Sequence, residues 1–127
     1  MKHSFEVYQD KRLIFYSDEH WLYPLFSFEV FLEKSRLNSE ELLIKDKIVG
    51  KAAALLIIHF NIKHVHAVML SELGETILKR WNIDYTYKNL VERIDCQTEN
   101  ILLEENDPGK AYQIIKARIQ KSRDRNR

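Results

Sequence analysis

The sequence predicts an α/β fold with a mixed sheet, arranged as a three-layer α/β/α sandwich. Two short runs rich in aromatic and β-branched residues, 5–8 and 13–16, indicate an N-terminal β-hairpin. An apolar strand at 65–70, a helix at 72–81 and a second strand at 83–87 follow later in the chain. Because a helix between two strands implies a crossover connection, these elements add parallel strands to the antiparallel hairpin.

Three further helices are predicted around this sheet. Residues 23–34 are strongly apolar, and Pro24 suits the first turn of a helix. Residues 47–60 are apolar on nearly every side, which is typical of a helix buried in a core. The last helix begins at Pro108, ends at about Lys121 and keeps its apolar residues on one face.

The connections complete the predicted organisation. Residues 35–41 are a polar connection, and residues 90–94 are predicted to form a short helix. We assign residues 1–106 to one domain and residues 107–127 to a C-terminal helix with a basic tail. That tail is expected to be solvated, because no aromatic residues are interleaved with its charges as in a dedicated nucleic-acid site.

Composition excludes several classes of protein. The chain has 127 residues, of which 45% are hydrophobic and 31% charged, and its formal net charge is +1. These values fit one globular domain with a core of ordinary size. The single cysteine excludes an internal disulfide framework. The longest apolar stretch, 52–58, is far shorter than the roughly 20 residues that span a bilayer, and the N-terminus lacks a signal-peptide core, so we expect a cytoplasmic protein without membrane contact.

The most informative segment is 46–54, Asp-Lys-Ile-Val-Gly-Lys-Ala-Ala-Ala. Asp46 is predicted to cap the helix that follows, which places Lys47 and Lys51 at its positive end. Local stability does not favour two lysines there, so either a carboxylate of the protein or an anionic ligand is expected to face them. Gly50 would lie inside this helix at a cost of about 1 kcal/mol relative to alanine, which indicates close approach of a neighbouring element or a ligand.

Two familiar kinds of site are not predicted. A P-loop requires a second glycine five positions before Gly50 and a serine or threonine after the lysine, but the chain has Lys45 and Ala52 there. His64 and His66 would point to the same side of a strand, but no third metal ligand follows at a useful spacing. We therefore expect no bound metal and no cofactor.

The segment 46–54 resembles the signature of a family of small prokaryotic domains of unknown function, grouped structurally with the cytidine-deaminase-like fold. Members of that family tend to carry an acidic residue after the next strand, which Glu72 matches. They also show a Cys-Pro-x-Glu motif, which Cys96 and Glu99 match, with Gln97 in place of the proline. The resemblance covers about residues 5–99 and implies a cytidine-deaminase-like architecture for the domain 1–106.

The same resemblance implies a cleft without zinc. Zinc deaminases take their metal ligands from a His-x-Glu helix start and a Pro-Cys-x-x-Cys helix start. By order of elements, those places resemble residues 46–48 and 71–74 of this chain. Neither segment holds residues that could bind zinc together with a catalytic water.

Three functional hypotheses remain open. The first is binding of a small anionic or nucleotide-like ligand at the N-terminus of the predicted Lys47 helix. The second is a structural or interaction module that forms a homodimer, in which the residues from Asp46 to Lys51 form an internal salt-bridge network. The third is a metal-free enzyme with Lys51 or Cys96 as nucleophile, although a lone cysteine is more often a buried hydrophobe. The candidate ligand-binding residues are Asp46, Lys47, Gly50, Lys51, Glu72, Cys96 and Glu99.

Overall fold

The computed structural model describes residues 1–94, residue 102 and residues 104–125, with side chains described up to residue 121. Cys96 and Glu99 lie outside the described residues. The elements in chain order are β1 (Phe5–Gln9), β2 (Arg12–Ser17), α1 (Tyr23–Lys34), a 3-10 helix (Ser39–Glu41), β3 (Leu43–Val49), α2 (Lys51–His59), β4 (His64–Ser71), α3 (Glu72–Arg80), β5 (Asp84–Val91) and α4 (Pro108–Arg125).

The five strands form one mixed sheet with the order β2-β1-β3-β4-β5. β1 is antiparallel to both β2 and β3, whereas β3, β4 and β5 are parallel. Asp10 and Lys11, which join β1 to β2, have φ values of 48° and 69°. Positive φ at both positions is typical of a tight hairpin turn. The α/β class, the mixed sheet and the N-terminal hairpin are thus confirmed.

One face of the sheet carries the hydrophobic core. α1 covers it at β1, where the Phe28 and Phe5 rings lie 5.9 Å apart, and α3 covers it at β5, where the Tyr85 hydroxyl donates to Glu75 at 2.9 Å. α2 lies on the same side, because right-handed crossovers along β3, β4 and β5 place successive helices on one face. α4 packs on α2, with Tyr112 stacked on His59. The buried sheet residues on this face are Phe5, Val7, Ile44, Val65 and Ala67.

The opposite face of the sheet is mainly polar. His64 lies 3.0 Å from Asp84, His66 lies 2.6 Å from Thr86, and the Lys45 ammonium lies over a tyrosine ring. Within the described ranges, all four helices lie on the core face, so a second helical layer of the predicted sandwich is not among them. The cytidine-deaminase-like assignment stays a prediction.

The predicted start of the helix 47–60 was wrong. Asp46 and Lys47 belong to β3, and α2 begins only at Lys51 after the N-cap residue Gly50. The cause is nonlocal pairing, since Asp46 pairs with Phe5 of β1 on one side and with β4 on the other. Gly50 therefore lies at the strand–helix boundary and not inside a helix.

A second error lies at the end of β5. The short helix predicted at 90–94 is absent, because β5 extends to Val91 through parallel pairing of Leu70 with Leu90 and of Ser71 with Val91. The helix 23–34, the Ser71 cap of α3 and the start of the last helix at Pro108 are confirmed, although α4 ends at Arg125 and not at about Lys121. No helix in the part of the chain that the structure describes is long and apolar enough to cross a membrane.

Candidate functional site

The two parallel strand–helix turns lie side by side at one edge of the sheet. β3 ends at Val49 and is followed by α2, and β4 ends at Ser71 and is followed by α3. In open α/β sheets, ligands bind outside the carboxyl ends of the strands. A ligand-binding site is therefore expected at this edge.

A cavity of about 210 Å³ opens at this edge in front of α2. We call it the α2 cavity. Its walls come from β3, from the first turn of α2 and from the loop between β2 and α1, so the N-terminal hairpin and the parallel strands meet around it. The lining residues are Ser4, Glu19, His20, Trp21, Leu22, Pro24, Asp46, Lys47, Ile48, Gly50, Ala52, Ala53 and Ile94.

Asp46 is the acidic group of β3 on the core face of the sheet. It pairs with Phe5 and Ala67, two buried apolar residues of the neighbouring strands. Its half-buried carboxylate accepts the N–H of Ile48 at 3.4 Å. Burial raises the pKa of Asp46 to about 7, and hydrogen bonds from the backbone N–H groups of Ile48 and Lys47 oppose this shift. Near neutral pH this carboxyl is both a donor and an acceptor of hydrogen bonds.

The first turn of α2 supplies the positive side of the cavity. Its N-cap, Gly50, has no side chain that could accept a hydrogen bond, and the first turn contains no acidic residue. Ala52 and Ala53 line the cavity at this point. Because the first N–H groups of a helix have no partner within the helix and its dipole is positive there, this turn suits a negatively charged group.

The two candidate lysines have different environments. Lys47 is an exposed residue of β3 that lines the α2 cavity. Lys51 is 3% exposed, and its Nζ donates a hydrogen bond to the carbonyl of Leu102. The ammonium of Lys51 therefore joins the start of α2 to the segment that precedes α4. The sequence predicted both lysines at one helix end. This was wrong, because Lys47 belongs to β3 and Lys51 begins α2.

The close packing of α3 against the turn between β3 and α2 depends on Gly74, which was not identified from the sequence. A Cβ atom at Gly74 would lie 3.1 Å from the carbonyl carbon and oxygen of Gly50 and from the carbonyl oxygen of Val49. The absence of a side chain thus lets the first turn of α3 rest on the turn between β3 and α2. A glycine in the first turn of a predicted helix was the available signal.

The remaining predicted residues are placed less centrally. Glu72 is exposed at the first position of α3. Sequence reasoning missed the loop at 19–22, whose acidic, imidazole and indole groups line the cavity. Trp21 has a positive φ of 60° and packs edge-on against Tyr23. Its signal in the sequence was an aromatic residue inside a polar loop.

Metal binding receives no positive indication. Among the residues that the structure describes, no group of three or more histidine, cysteine or carboxylate side chains could hold a metal ion. His64 and His66 do lie on the same side of β4, as predicted, but their nearest polar partners are Asp84 and Thr86. The expectation of a zinc-free protein stays a prediction.

Comparisons with known proteins agree with this architecture. A family model described as TM1506, domain of unknown function (DUF1893), matches residues 2–119. The crystal structure of a DUF1893 family protein, TM1506 from Thermotoga maritima at 2.70 Å resolution, is similar with a TM-score of 0.79. The two sequences are 27% identical, and the match covers 91% of this chain and 80% of that chain. No curated protein matches this chain.

Proposed function

Because this chain belongs to the DUF1893 family, whose function is unknown, we propose from its own geometry that it binds a small anionic or nucleotide-like ligand in the α2 cavity. Family membership confirms the resemblance to domains of unknown function that the sequence indicated. It does not identify a ligand, since function depends on the site and not on the fold.

The proposal rests on the cavity in front of α2, because the N-cap residue of this helix has no side chain to cap it. Gly50 provides no acceptor, and Ala52 and Ala53 are small enough for a ligand to reach the backbone. An anionic group placed there would accept hydrogen bonds from the N–H groups of the first turn and interact favourably with the helix dipole. The exposed Lys47 at the cavity wall adds positive charge.

The other walls favour a flat, partly apolar group. Trp21, Leu22, Pro24 and Ile48 are among the apolar residues that line the cavity. A volume of about 210 Å³ exceeds the roughly 150 Å³ of an engineered cavity that holds benzene. One ring with an anionic substituent would therefore fit, whereas a whole nucleotide would leave part of itself outside the cavity.

Asp46 would make binding depend on pH. An ionised Asp46 repels an anion, and a protonated one donates a hydrogen bond to it. Since burial raises the pKa of Asp46 to about 7, anion binding is expected to be tighter at pH 6 than at pH 8 and to be accompanied by proton uptake.

Isothermal titration calorimetry with adenosine monophosphate and with inorganic phosphate tests this proposal. Gly50→Asp places a carboxylate at the helix start, where it caps the N–H groups and repels anions, and is expected to weaken affinity at least tenfold. Lys63→Met removes an exposed lysine at the opposite edge of the sheet and is the matched control. Equal affinities for the wild type and Gly50→Asp would contradict the proposal.

The pH arm uses a second variant. Phosphate groups themselves titrate near pH 6, so the wild type is compared with Asp46→Asn at pH 6 and pH 8. The variant keeps the titration of the ligand and loses that of Asp46. A smaller change of affinity with pH in Asp46→Asn supports the assigned role, and identical changes in the two proteins exclude it.

The alternatives receive less support from the described geometry. The buried Lys51 ammonium donates to a backbone carbonyl, which suits an anchoring role better than that of a nucleophile. The hydrogen bonds described for the Asp46 carboxylate come from backbone N–H groups. We therefore place the ligand site ahead of the metal-free enzyme and of the internal salt-bridge network.

A further inference from the structure

The two edge strands of the sheet differ in how they are protected. β2 has six residues, and its pairing with β1 shifts between Val7 and Tyr8, which leaves Ile14 as an extra residue. Lys11 lies in the turn before β2, and Arg12 is its first residue. Bulges, short length and charged side chains are the devices by which edge strands avoid pairing with other chains.

β5, the other edge, has few of these devices. It runs for eight residues and pairs with β4 at a constant offset from His64–Asp84 to Ser71–Val91. Its segment 86–90 is exposed, and the strand contains no proline. No strand within the described ranges pairs with the outer side of β5, which there presents a row of backbone N–H and C=O groups that can serve as a template for another strand.

We propose that β5 pairs with β5 of a second copy of this chain, antiparallel and with the two-fold axis at Thr86. Directly opposite residues in an antiparallel pair share one face of the sheet. In this register Asp84 lies opposite Lys88 of the second copy, and Tyr85 lies opposite its Tyr87. Each pair occurs twice because the interface is isologous.

The side chains of β5 select this register over its neighbours. Opposite charges and paired aromatic residues across strands are both stabilising. A shift of the axis to Tyr87 would place Asp84 opposite Leu90 and Thr86 opposite Lys88, so both charge pairs would be lost. A charged Lys88 would by itself disfavour pairing at this edge. In the proposed register its charge is neutralised by Asp84 of the second copy. Pairing would also cover part of Tyr87 and Leu90, which are 42% and 39% exposed.

Disulfide trapping tests the register. On the proposed axis the two Thr86 residues lie directly opposite each other, with Cα atoms about 4.5–5.5 Å apart, which is within the range that a disulfide spans. Thr86→Cys in a Cys96→Ser background is expected to form a covalent dimer under mild oxidation. Lys88→Cys in the same background is the control, because its two copies would lie roughly 13 Å apart along the strand.

Sedimentation velocity tests the association itself. The wild type is expected to be a dimer, and Lys88→Asp, which opposes two carboxylates across the axis, is expected to raise the dissociation constant at least tenfold. The double variant Asp84→Lys/Lys88→Asp restores the charge pairs and is expected to restore the dimer. Each of these charge variants keeps the backbone of β5.

Three results would overturn the inference. They are a monomeric wild type at millimolar concentration, a cross-link at position 88 without one at Thr86, and a dimer that Lys88→Asp does not weaken. The inference does not rest on the ligand proposal, since β5 supplies no residue described in the α2 cavity. Failure of one proposal therefore leaves the other standing.

Discussion

The two parallel strand–helix turns of this protein have the same geometry and opposite chemistry at the helix start. The N-cap of α3 is Ser71, whose hydroxyl accepts a hydrogen bond from the N–H of Gly74 at 3.0 Å, and the first turn of α3 carries Glu72 and Glu75. The N-cap of α2 is Gly50, which has no side chain to cap the helix, and the first turn of α2 has no acidic residue. The chain thus compensates the positive end of α3 itself and leaves a cavity in front of α2.

This difference shows where stability and function separate at one edge of a sheet. A side-chain cap at a helix start contributes about 1 kcal/mol relative to alanine, and a glycine at the same position gives up a few tenths of a kcal/mol of that contribution. Of the two parallel strand–helix turns, the one at α2 lacks this side-chain cap, and Asp46 and Lys47 line the cavity in front of it. Substitutions at the two turns are therefore expected to have effects of different size.

Asp46→Asn is expected to have the largest effect on stability, and the effect grows as the pH rises. The pKa of Asp46 is raised from 3.8 to about 7, so its contribution is fully present below pH 3.8 and falls as pH rises to about 7. Asparagine cannot ionise, and we expect a gain on the order of 2–4 kcal/mol at pH 8.

Urea denaturation at pH 5 and pH 8 measures this difference. Glu72→Gln, at the exposed start of α3, is the matched control and is expected to change stability by less than about 0.5 kcal/mol at either pH. If Asp46→Asn gains nothing at pH 8, the carboxyl is not destabilised by its surroundings and the comparison loses its electrostatic basis.

Lys51→Met tests the anchoring of α2. The variant removes the donor to the buried carbonyl of Leu102, and an unsatisfied buried acceptor costs about 1–3 kcal/mol. Lys63→Met, which is exposed, is expected to stay within about 0.5 kcal/mol of the wild type. A loss nearer 3–5 kcal/mol would instead favour the salt-bridge network, because breaking a buried ion pair has that cost.

Ser71→Ala and Gly50→Ser change the two helix starts in opposite directions. Loss of the cap at α3 is expected to cost about 1 kcal/mol, and addition of a hydroxyl at α2 is expected to gain a few tenths of a kcal/mol. Thermal unfolding of both variants provides the measurement. A loss in Gly50→Ser as large as that in Ser71→Ala would mean that α2 already has an equivalent cap.

Sequence reasoning succeeded where local signals define an element. Such signals were sufficient for α1, which has Pro24 in its first turn, and for α3, which is capped by Ser71. They were also sufficient for the hairpin, with its two runs of aromatic and β-branched residues. It failed at β3, where three consecutive charged residues, 45–47, interrupt any strand-like alternation and the strand is stabilised by pairing with β1 and β4. Asp46 followed by an apolar run resembles a helix cap, and no local signal shows that the strand continues to Val49.

The site was predicted in composition but not in arrangement. Asp46, Lys47 and Gly50 do line one cavity, because the strand that contains Asp46 and Lys47 leads directly into α2. The contribution of the loop at 19–22 could not be predicted, since it reaches the cavity through the pairing of β1 with β3. The buried position of Lys51 likewise depends on a contact with Leu102, 51 positions along the chain.

The central claim is that the start of α2, and not the start of α3, receives the anionic group of a ligand. Titration of the isotope-labelled protein with adenosine monophosphate, followed by amide chemical shifts, tests this in one experiment. We predict large, saturable shifts at Ala52 and Ala53 and small ones at Leu73 and Gly74, with the former abolished in Gly50→Asp. Equal shifts at both helix starts, or saturable shifts confined to α3, would contradict the account.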